Sequence, residues 1–370
     1  MRILIAGGGT GGHLYPGLAV ARAVQRLRPD IEPFFIGARR GIEREVLPET
    51  GFPHALLDLH PLYRTAIWNN WRTAVGLVSA WRELGRIVGR ERPALVLGTG
   101  GYAAVAALAY AVAHSIPLVE QTGDALPSRT ARLFSPWARE IYLSFPESAA
   151  RLKARTPGAL INTGAPIEPP PEPRPSRSAA LAQWGFPPDA VVVLVYGGSQ
   201  GSLAINGAVR DWITAGLPPH VHMIWGTGRK WFDEFAPLES ARVRVRAYLA
   251  PVADAYAAAD VAVARAGSMT LAELLAWHVP AVLVPLPTAA DDHQTLNAEA
   301  LVRAGAAVHV PQSDLSGARL GASVESLVGN AARLRAMASA AAARARPHAA
   351  ADIARRIVAL LATLYSARAT

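Results

Sequence analysis

A chain of 370 residues, 51% apolar and 18% charged, is globular and too long for one ordinary core; it has the length of two α/β domains. It contains no cysteine, which excludes disulfides, thiolate catalysis and Cys-ligated zinc. The formal charge of +9 points to an acidic partner, whether phosphorylated substrate, anionic lipid or nucleic acid, although a composition rich in Ala and Arg accounts for part of it.

The chain opens with a short apolar run, Arg2 to Ala6, which reads as a buried strand. It breaks into glycines within a few residues, unlike a signal peptide. Gly7 to Gly12 follow, and then Leu14, Leu18 and Ala21 recur near helical spacing, with Pro16 placed in a first helical turn. The unit is strand, glycine turn, helix. Glycines let backbone N–H groups approach a ligand, and a helix N-terminus adds partial positive charge, so this is an anion site, most often for phosphate. Further strands are expected near Pro33–Ile36, Ala94–Leu97, Pro117–Glu120, Ile141–Leu143 and Leu160–Asn162. The longest apolar region, 95–118, is interrupted by Gly100, Gly101, His114 and Pro117 and is no membrane span. GAPIEPPPEPRPS, from Gly164 to Ser176, is too proline-rich for a helix or central strand.

After this linker the pattern restarts: VVVLVYGGSQGSLAIN is again strand, glycine turn, helix. Strands are expected near Val221–Trp225, Val243–Tyr248, Asp260–Ala264, Ala281–Pro285 and Ala307–Val310, and the tail from about Leu320 reads as helical throughout. Strands alternating with helices imply parallel sheets with right-handed crossovers. The fold class is therefore α/β with two Rossmann-like domains, residues 1–164 and 178–349, a linker at 165–177, and a last helix at about 350–370 packing back on the first domain. Ligands are expected at the carboxyl ends of the strands, in a cleft between the domains.

Gly7-x-Gly9-x-x-Gly12 matches the dinucleotide fingerprint, but Gly37-Ala38-Arg39-Arg40 follows the second strand where a ribose-binding acid would stand. No Gly-Lys-Ser/Thr follows a glycine run, which excludes a P-loop. The basic residues are scattered without a nucleic-acid motif, so no nucleic-acid partner is expected.

Five blocks in order, GGGTGGHLYPGLAVA, LGTGGYAA, YGGSQGSLAIN, RAGSMTLAELLAWHVPAVLVPLP and DDHQTLNAEAL, resemble the MurG family of bacterial glycosyltransferases over nearly the whole chain. The resemblance implies the GT-B fold, with acceptor on the first domain and UDP-sugar on the second. It implies inverting transfer of N-acetylglucosamine from UDP-N-acetylglucosamine to the 4-hydroxyl of a lipid-linked muramyl-pentapeptide acceptor (lipid I to lipid II), for peptidoglycan synthesis, without a cofactor. It also implies a peripheral position on the cytoplasmic face of the bacterial inner membrane, an anionic membrane surface as partner, and contact with other cell-wall synthesis proteins. The alternative is a related GT-B transferase with a different lipid-linked or glycolipid acceptor.

Glu273 follows RAGSMT near the start of a helix, where a carboxylate can accept both ribose hydroxyls or simply complement the helix dipole. By resemblance it is the ribose-binding glutamate. The resemblance further implies donor contacts from Thr10, Gly11, Gly12, Ser199, Met269 and Thr270, a backbone contact to uracil at Leu249, and contacts to the donor sugar from His293 and Gln294. It assigns the acceptor to Gly100, Gly101, Tyr102, Gln121 and Thr122. His13 closes the first glycine turn and has the side chain best matched to proton transfer near neutrality. It is expected as the general base, or as an orienting or phosphate-contacting residue; Glu120 is the rival base. His220, His222 and His309 match no motif. Asp291-Asp292 reads as a solvated loop or helix cap, and no metal site is expected.

HPLYRTAIWNNWRTAVGLVSAW interleaves Leu62, Tyr63, Ile67, Trp68, Trp71, Leu77, Val78 and Trp81 with Arg64, Arg72 and Arg82. This suits a bilayer interface, or ordinary helix packing. Two blocks depart from the family: Val119-Glu120-Gln121-Thr122 replaces its His-Glu-Gln-Asn, and Gly164-Ala165-Pro166-Ile167-Glu168 replaces its Gly-Asn-Pro-Val-Arg. Glu168 would repel a diphosphate, so either another basic residue, with Arg265, Arg229 and Lys230 as candidates, compensates or donor handling differs.

Overall fold

The computed structural model describes residues 1–60, 70–198 and 200–369, with backbone alone at 70–74 and 367–369. The chain divides into two compact units: Met1–Glu168 together with the chain from His348 onward, and Pro169–Pro347.

The first unit is built on seven parallel strands: β1 (Arg2–Gly7), β2 (Glu32–Ala38), β3 (His54–Leu57), β4 (Leu95–Gly100), β5 (Leu118–Thr122), β6 (Glu140–Leu143) and β7 (Leu160–Asn162). Their order is β3-β2-β1-β4-β5-β6-β7. The chain leaves β1 towards β2 on one side and returns to β4 on the other, so the topological switch point lies between β1 and β4. Ile3, Leu4, Ile5 and Ala6 are all buried, as a central parallel strand covered on both faces requires. Leu4 and Ala6 pack with Leu84, Ile87 and Leu108 on one face. Ile3 and Ile5 pack on the other with Leu14 and Leu18 of the helix Gly11–Leu27 and with Ile353, Ile357 and Leu361 of the last helix, Ala349–Ala369. Arg356 ties that last helix to β6 through two 2.9 Å bonds to the Glu140 carboxylate.

Three local expectations change. The first helix starts at Gly11, so Pro16 is its sixth residue, not part of the first turn, and the Gly12 carbonyl lacks its helical N–H. β3 was not anticipated, because four residues at a sheet edge, bounded by Pro53, carry too short a pattern to stand out. The tail, read as helical throughout, is three helices with breaks between them, Gly317–Val328, Ala331–Arg344 and Ala349–Ala369. Asn330 opens the second by accepting from the Arg333 N–H at 3.0 Å, and Pro347 lies in the second break.

The second unit holds β8 (Val191–Tyr196), β9 (Val221–Gly226), β10 (Val243–Arg246), β11 (Val261–Ala264), β12 (Ala281–Leu283) and β13 (Ala307–His309). The order β10-β9-β8-β11-β12-β13 puts its switch point between β8 and β11. Val193, Val195, Val263, Trp225 and Trp212 form its core.

Candidate functional site

At the switch point of the first unit, the turn after β1 and the turn after β4 interlock. Gly8 N donates to the Gly100 carbonyl at 3.3 Å, and Thr99 Oγ1 donates to the His13 carbonyl at 2.7 Å. Gly100 and Gly101 have φ of 97° and 79°, and a Cβ on Gly101 would sit 2.0 Å from the Gly8 carbonyl oxygen. Only glycine permits that approach. A Cβ on Gly9 would meet the Tyr102 ring at 2.6 Å, so that ring packs over the first turn. His13 stands half-buried with Nδ1 3.1 Å from the Thr99 carbonyl oxygen. A carbonyl only accepts, so Nδ1 is the donor in this contact. Thr10 is exposed and starts the helix without a side-chain cap, and Gly11 and Gly12 form its first residues.

A residue that local pattern had not singled out lies beneath this turn. Glu43 is fully buried, and its Oε1 accepts from Gly9 N at 2.9 Å and from Ala38 N at 3.1 Å.

Along β5, Glu120, Gln121 and Thr122 are all buried. Glu120 Oε2 has no hydrogen-bond partner among the described residues, and burial pushes this carboxyl well above the usual carboxylate range. Gln121 Nε2 donates to Ser144 Oγ at 2.9 Å, which ties the residue to the end of β6.

At the switch point of the second unit, β8 ends at Tyr196 beside Ala264 of β11. Arg265 follows and is buried. Its Nη1 donates to the carbonyls of Val284 and Pro285 at 3.0 and 2.9 Å, and its Nη2 to Ser202 Oγ and Gln312 Oε1 at 2.7 and 2.6 Å. All four acceptors are neutral, and burial draws the guanidinium down to about 10. Ser202 also caps the helix Leu203–Ala215, so Arg265 braces the second glycine turn. Ser199 in that turn lies outside the described residues.

Met269 and Thr270 occupy the first turn of the helix Ser268–Ala276, whose start at Gly267 has no side-chain cap. Glu273 is its sixth residue, beyond the reach of a simple dipole role. Tyr256 Oη donates to Glu273 Oε2 at 2.8 Å, Tyr196 Oη lies 3.0 Å from Tyr256 Oη, and Tyr196 is hydrogen-bonded to Thr270. Burial raises the Glu273 carboxyl, and the Tyr256 bond acts against the rise. Trp277 stacks on Tyr256 at 5.7 Å. Gln294 Oε1 accepts from Leu286 N at 3.0 Å, and His293 Nδ1 donates to the Ala290 carbonyl at 2.8 Å. Leu249 packs against Gly226 at the end of β9. Asp291 and Asp292 are exposed, and Asp292 Oδ1 accepts from Thr295 Oγ1 at 2.7 Å. Among the described residues no group of acidic or histidine side chains is arranged to hold a metal.

Glu168 is exposed. Of the cations expected to offset it, Arg265 is committed to the four bonds above, while Arg229 and Lys230 are exposed beside the rings of Tyr248 and Trp231. On the helix Asn70–Glu91 the exposed side chains include Val75, Leu77, Val78 and Trp81, next to Arg82 and Arg86. Trp81 rests on Tyr110 with ring centroids 4.9 Å apart. Leu62, Tyr63, Arg64, Ile67 and Trp68 lie outside the described residues, as do the side chains of Trp71 and Arg72. No helix among the described residues is long and apolar enough to cross a membrane.

Two doubly wound halves, each with a glycine turn at its switch point, make up the GT-B fold. Residues 3–143 match the glycosyltransferase family 28 N-terminal domain, and residues 192–356 match the family 28 C-terminal domain. The UDP-N-acetylglucosamine--N-acetylmuramyl-(pentapeptide) pyrophosphoryl-undecaprenol N-acetylglucosamine transferase of Salinibacter ruber is 41% identical, over 97% of this chain and 96% of its own. Its counterpart in Moorella thermoacetica is 37% identical over 94% and 95%. The crystal structure of Acinetobacter baumannii MurG shares the fold with a TM-score of 0.76 at 24% identity, over 96% of this chain and 98% of that one. The chain belongs to the MurG family.

Proposed function

We propose that this chain transfers N-acetylglucosamine from UDP-N-acetylglucosamine to the 4-hydroxyl of a lipid-linked muramyl-pentapeptide, with inversion. The observation that carries this reading is the 41% identity to a transferase of that name along nearly the whole length of both chains. The acceptor hydroxyl attacks the anomeric carbon, the bond to the UDP oxygen breaks, UDP leaves, and the hydroxyl proton passes to a base. His13 is that base, with its ring held through Nδ1 by the Thr99 carbonyl at 3.1 Å. Glu120, buried on β5 with its carboxyl raised by burial, is the rival base.

Glu273 binds the ribose hydroxyls, with Oε2 oriented by Tyr256. The glycine turn braced by Arg265 and the uncapped start of the helix Ser268–Ala276 receive the diphosphate, with Ser199, Met269 and Thr270 at their edges. Leu249 meets the uracil, and His293 and Gln294 contact the donor sugar. Thr10, Gly11 and Gly12 border the donor, and Gly100, Gly101, Tyr102, Gln121 and Thr122 border the acceptor. With N–H groups and a helix N-terminus to receive the leaving group, the reaction proceeds without a metal or cofactor. The exposed apolar and basic face of the helix Asn70–Glu91 meets an anionic membrane surface peripherally, at the inner face of the bacterial plasma membrane.

The test is UDP release from UDP-N-acetylglucosamine with and without lipid-linked muramyl-pentapeptide, in the presence of EDTA. Release that depends on this acceptor and survives the chelator is expected. Release with another glycolipid but not with this one overturns the acceptor assignment.

A further inference from the structure

The first glycine turn has the features of an anion cradle, yet an anion already fills it. Glu43 stands 34 residues from Gly9 in the chain, and its Oε1 accepts the Gly9 and Ala38 N–H groups. Three glycines make room for it. A Cβ on Gly8 would fall 1.7 Å from Glu43 Oε1, one on Gly41 would fall 2.0 Å from Oε2, and one on Gly37 would fall 2.9 Å from its Cβ. The carboxylate is fully buried, and Oε2 has no hydrogen-bond partner among the described residues. A half-satisfied buried carboxylate is costly, and an apolar side chain of that size would fill the space without the cost. What an apolar side chain could not do is hold the Gly9 amide.

We propose that Glu43 is a positioning residue for the transfer reaction: its carboxylate occupies the anion site of the first glycine turn from beneath and fixes the backbone that carries His13. The Gly9 amide is thereby withdrawn from any phosphate, and this part of the turn is a platform for the base. The path is short. Glu43 holds Gly9, Gly8 N holds the Gly100 carbonyl, Thr99 Oγ1 holds the His13 carbonyl, and the Thr99 carbonyl holds His13 Nδ1. Loosening the first bond lets the imidazole drift while the donor residues of the second unit are untouched, and a shift of about 1 Å at a reacting group costs up to roughly a hundredfold in rate.

This rests on the transfer activity proposed above, which the wild-type enzyme tests by itself. In an enzyme with that activity, Glu43→Ala is expected to lower kcat roughly tenfold to a hundredfold with donor KM unchanged within about twofold. Sodium acetate is expected to restore the rate saturably by filling the vacated site, while sodium chloride at equal ionic strength does not. Glu43→Gln, which keeps the acceptor oxygen, is expected to stay within about threefold of wild type. Should Glu43→Ala not fold, Glu43→Asp, one methylene too short for Gly9, is expected to show the same kcat-only loss. Wild-type kinetics in Glu43→Ala, a parallel rise in donor KM, or a folded variant that acetate does not rescue would overturn the proposal.

Discussion

The two switch points of this chain are built on one plan and charged in opposite ways. Where β1 and β4 part, the buried ionisable side chain under the glycine turn is a carboxylate, Glu43, and a second, Glu120, lies one strand away. Where β8 and β11 part, the buried side chain behind the glycine turn is a guanidinium, Arg265, bonded only to neutral oxygens. A cation held in low dielectric, with its charge unspent on a carboxylate, favours an incoming diphosphate; an anion in the same position disfavours one. The same strand–turn–helix unit can therefore serve a leaving group in one half and a nucleophile with its base in the other. The glycines permit both uses, and the buried charge beneath them chooses.

The most direct way to break this division is at the nucleotide end. Glu273→Ala removes charge-assisted bonds worth about 1.5–3 kcal/mol, and donor affinity by calorimetry is expected to fall roughly tenfold to a hundredfold. Unchanged donor affinity would leave the second unit without its nucleotide role.

On the first unit, Val75→Ser with Val78→Ser removes two exposed valines from the helix Asn70–Glu91. Burying each in a bilayer interface is worth on the order of 1 kcal/mol, so co-sedimentation with anionic vesicles is expected to weaken roughly thirtyfold. Donor affinity is expected to stay the same. Vesicle binding equal to wild type would assign the membrane contact elsewhere.

Tyr256→Phe sharpens the nucleotide end. Losing the bond to Glu273 Oε2 is expected to raise donor KM about three- to tenfold with kcat little changed. The pH profile gives a second readout. The Glu273 carboxyl is raised by burial and drawn back by Tyr256, and only the ionised form accepts two ribose hydroxyls. Donor KM should therefore climb on acidification above the ordinary carboxylate range, and the climb should begin at higher pH in Tyr256→Phe. Initial rates across a pH series decide it; an identical profile in both proteins would mean that Tyr256 does not tune Glu273.

The smallest effect concerns Glu120. Its folded carboxyl binds a proton more tightly than the unfolded chain does, so the folded state holds the extra proton between the ordinary value of 4.5 and its own raised one. Stability contributed by that proton is present below pH 4.5 and is lost as pH rises through the window. Glu120→Gln removes this loss, and a melting temperature about 2–4 °C above wild type is expected at pH 8, with no gain at about pH 4. An equal shift at both pH values would show that packing, not ionisation, sets the difference.

Much of the fold could be read from the residues alone, because strand, glycine turn and helix are local. β1 and β8 announce themselves as apolar runs ending in glycines, and a parallel strand covered on both faces must be apolar throughout. His13 likewise stood out at the end of a glycine turn, whereas Glu273, read near a helix start, is the sixth residue of its helix. Local pattern was silent where a strand is short and at an edge, as at β3, and it ran helices together where breaks depend on Asn330 and Pro347 within an otherwise helix-favouring composition.

What only tertiary structure decided is which distant groups stand behind the turns. Glu43 and Gly9 are 34 residues apart, Ser202 and Arg265 are 63, and Tyr256 and Glu273 are 17. No periodicity links such pairs, since each arises when the parallel sheet brings segments distant in the chain side by side. A glycine turn read by itself is an anion site. Whether that site is open to a substrate or already taken by the chain's own carboxylate depends on what lies beneath it, and burial in a low-dielectric interior makes that single charge decisive.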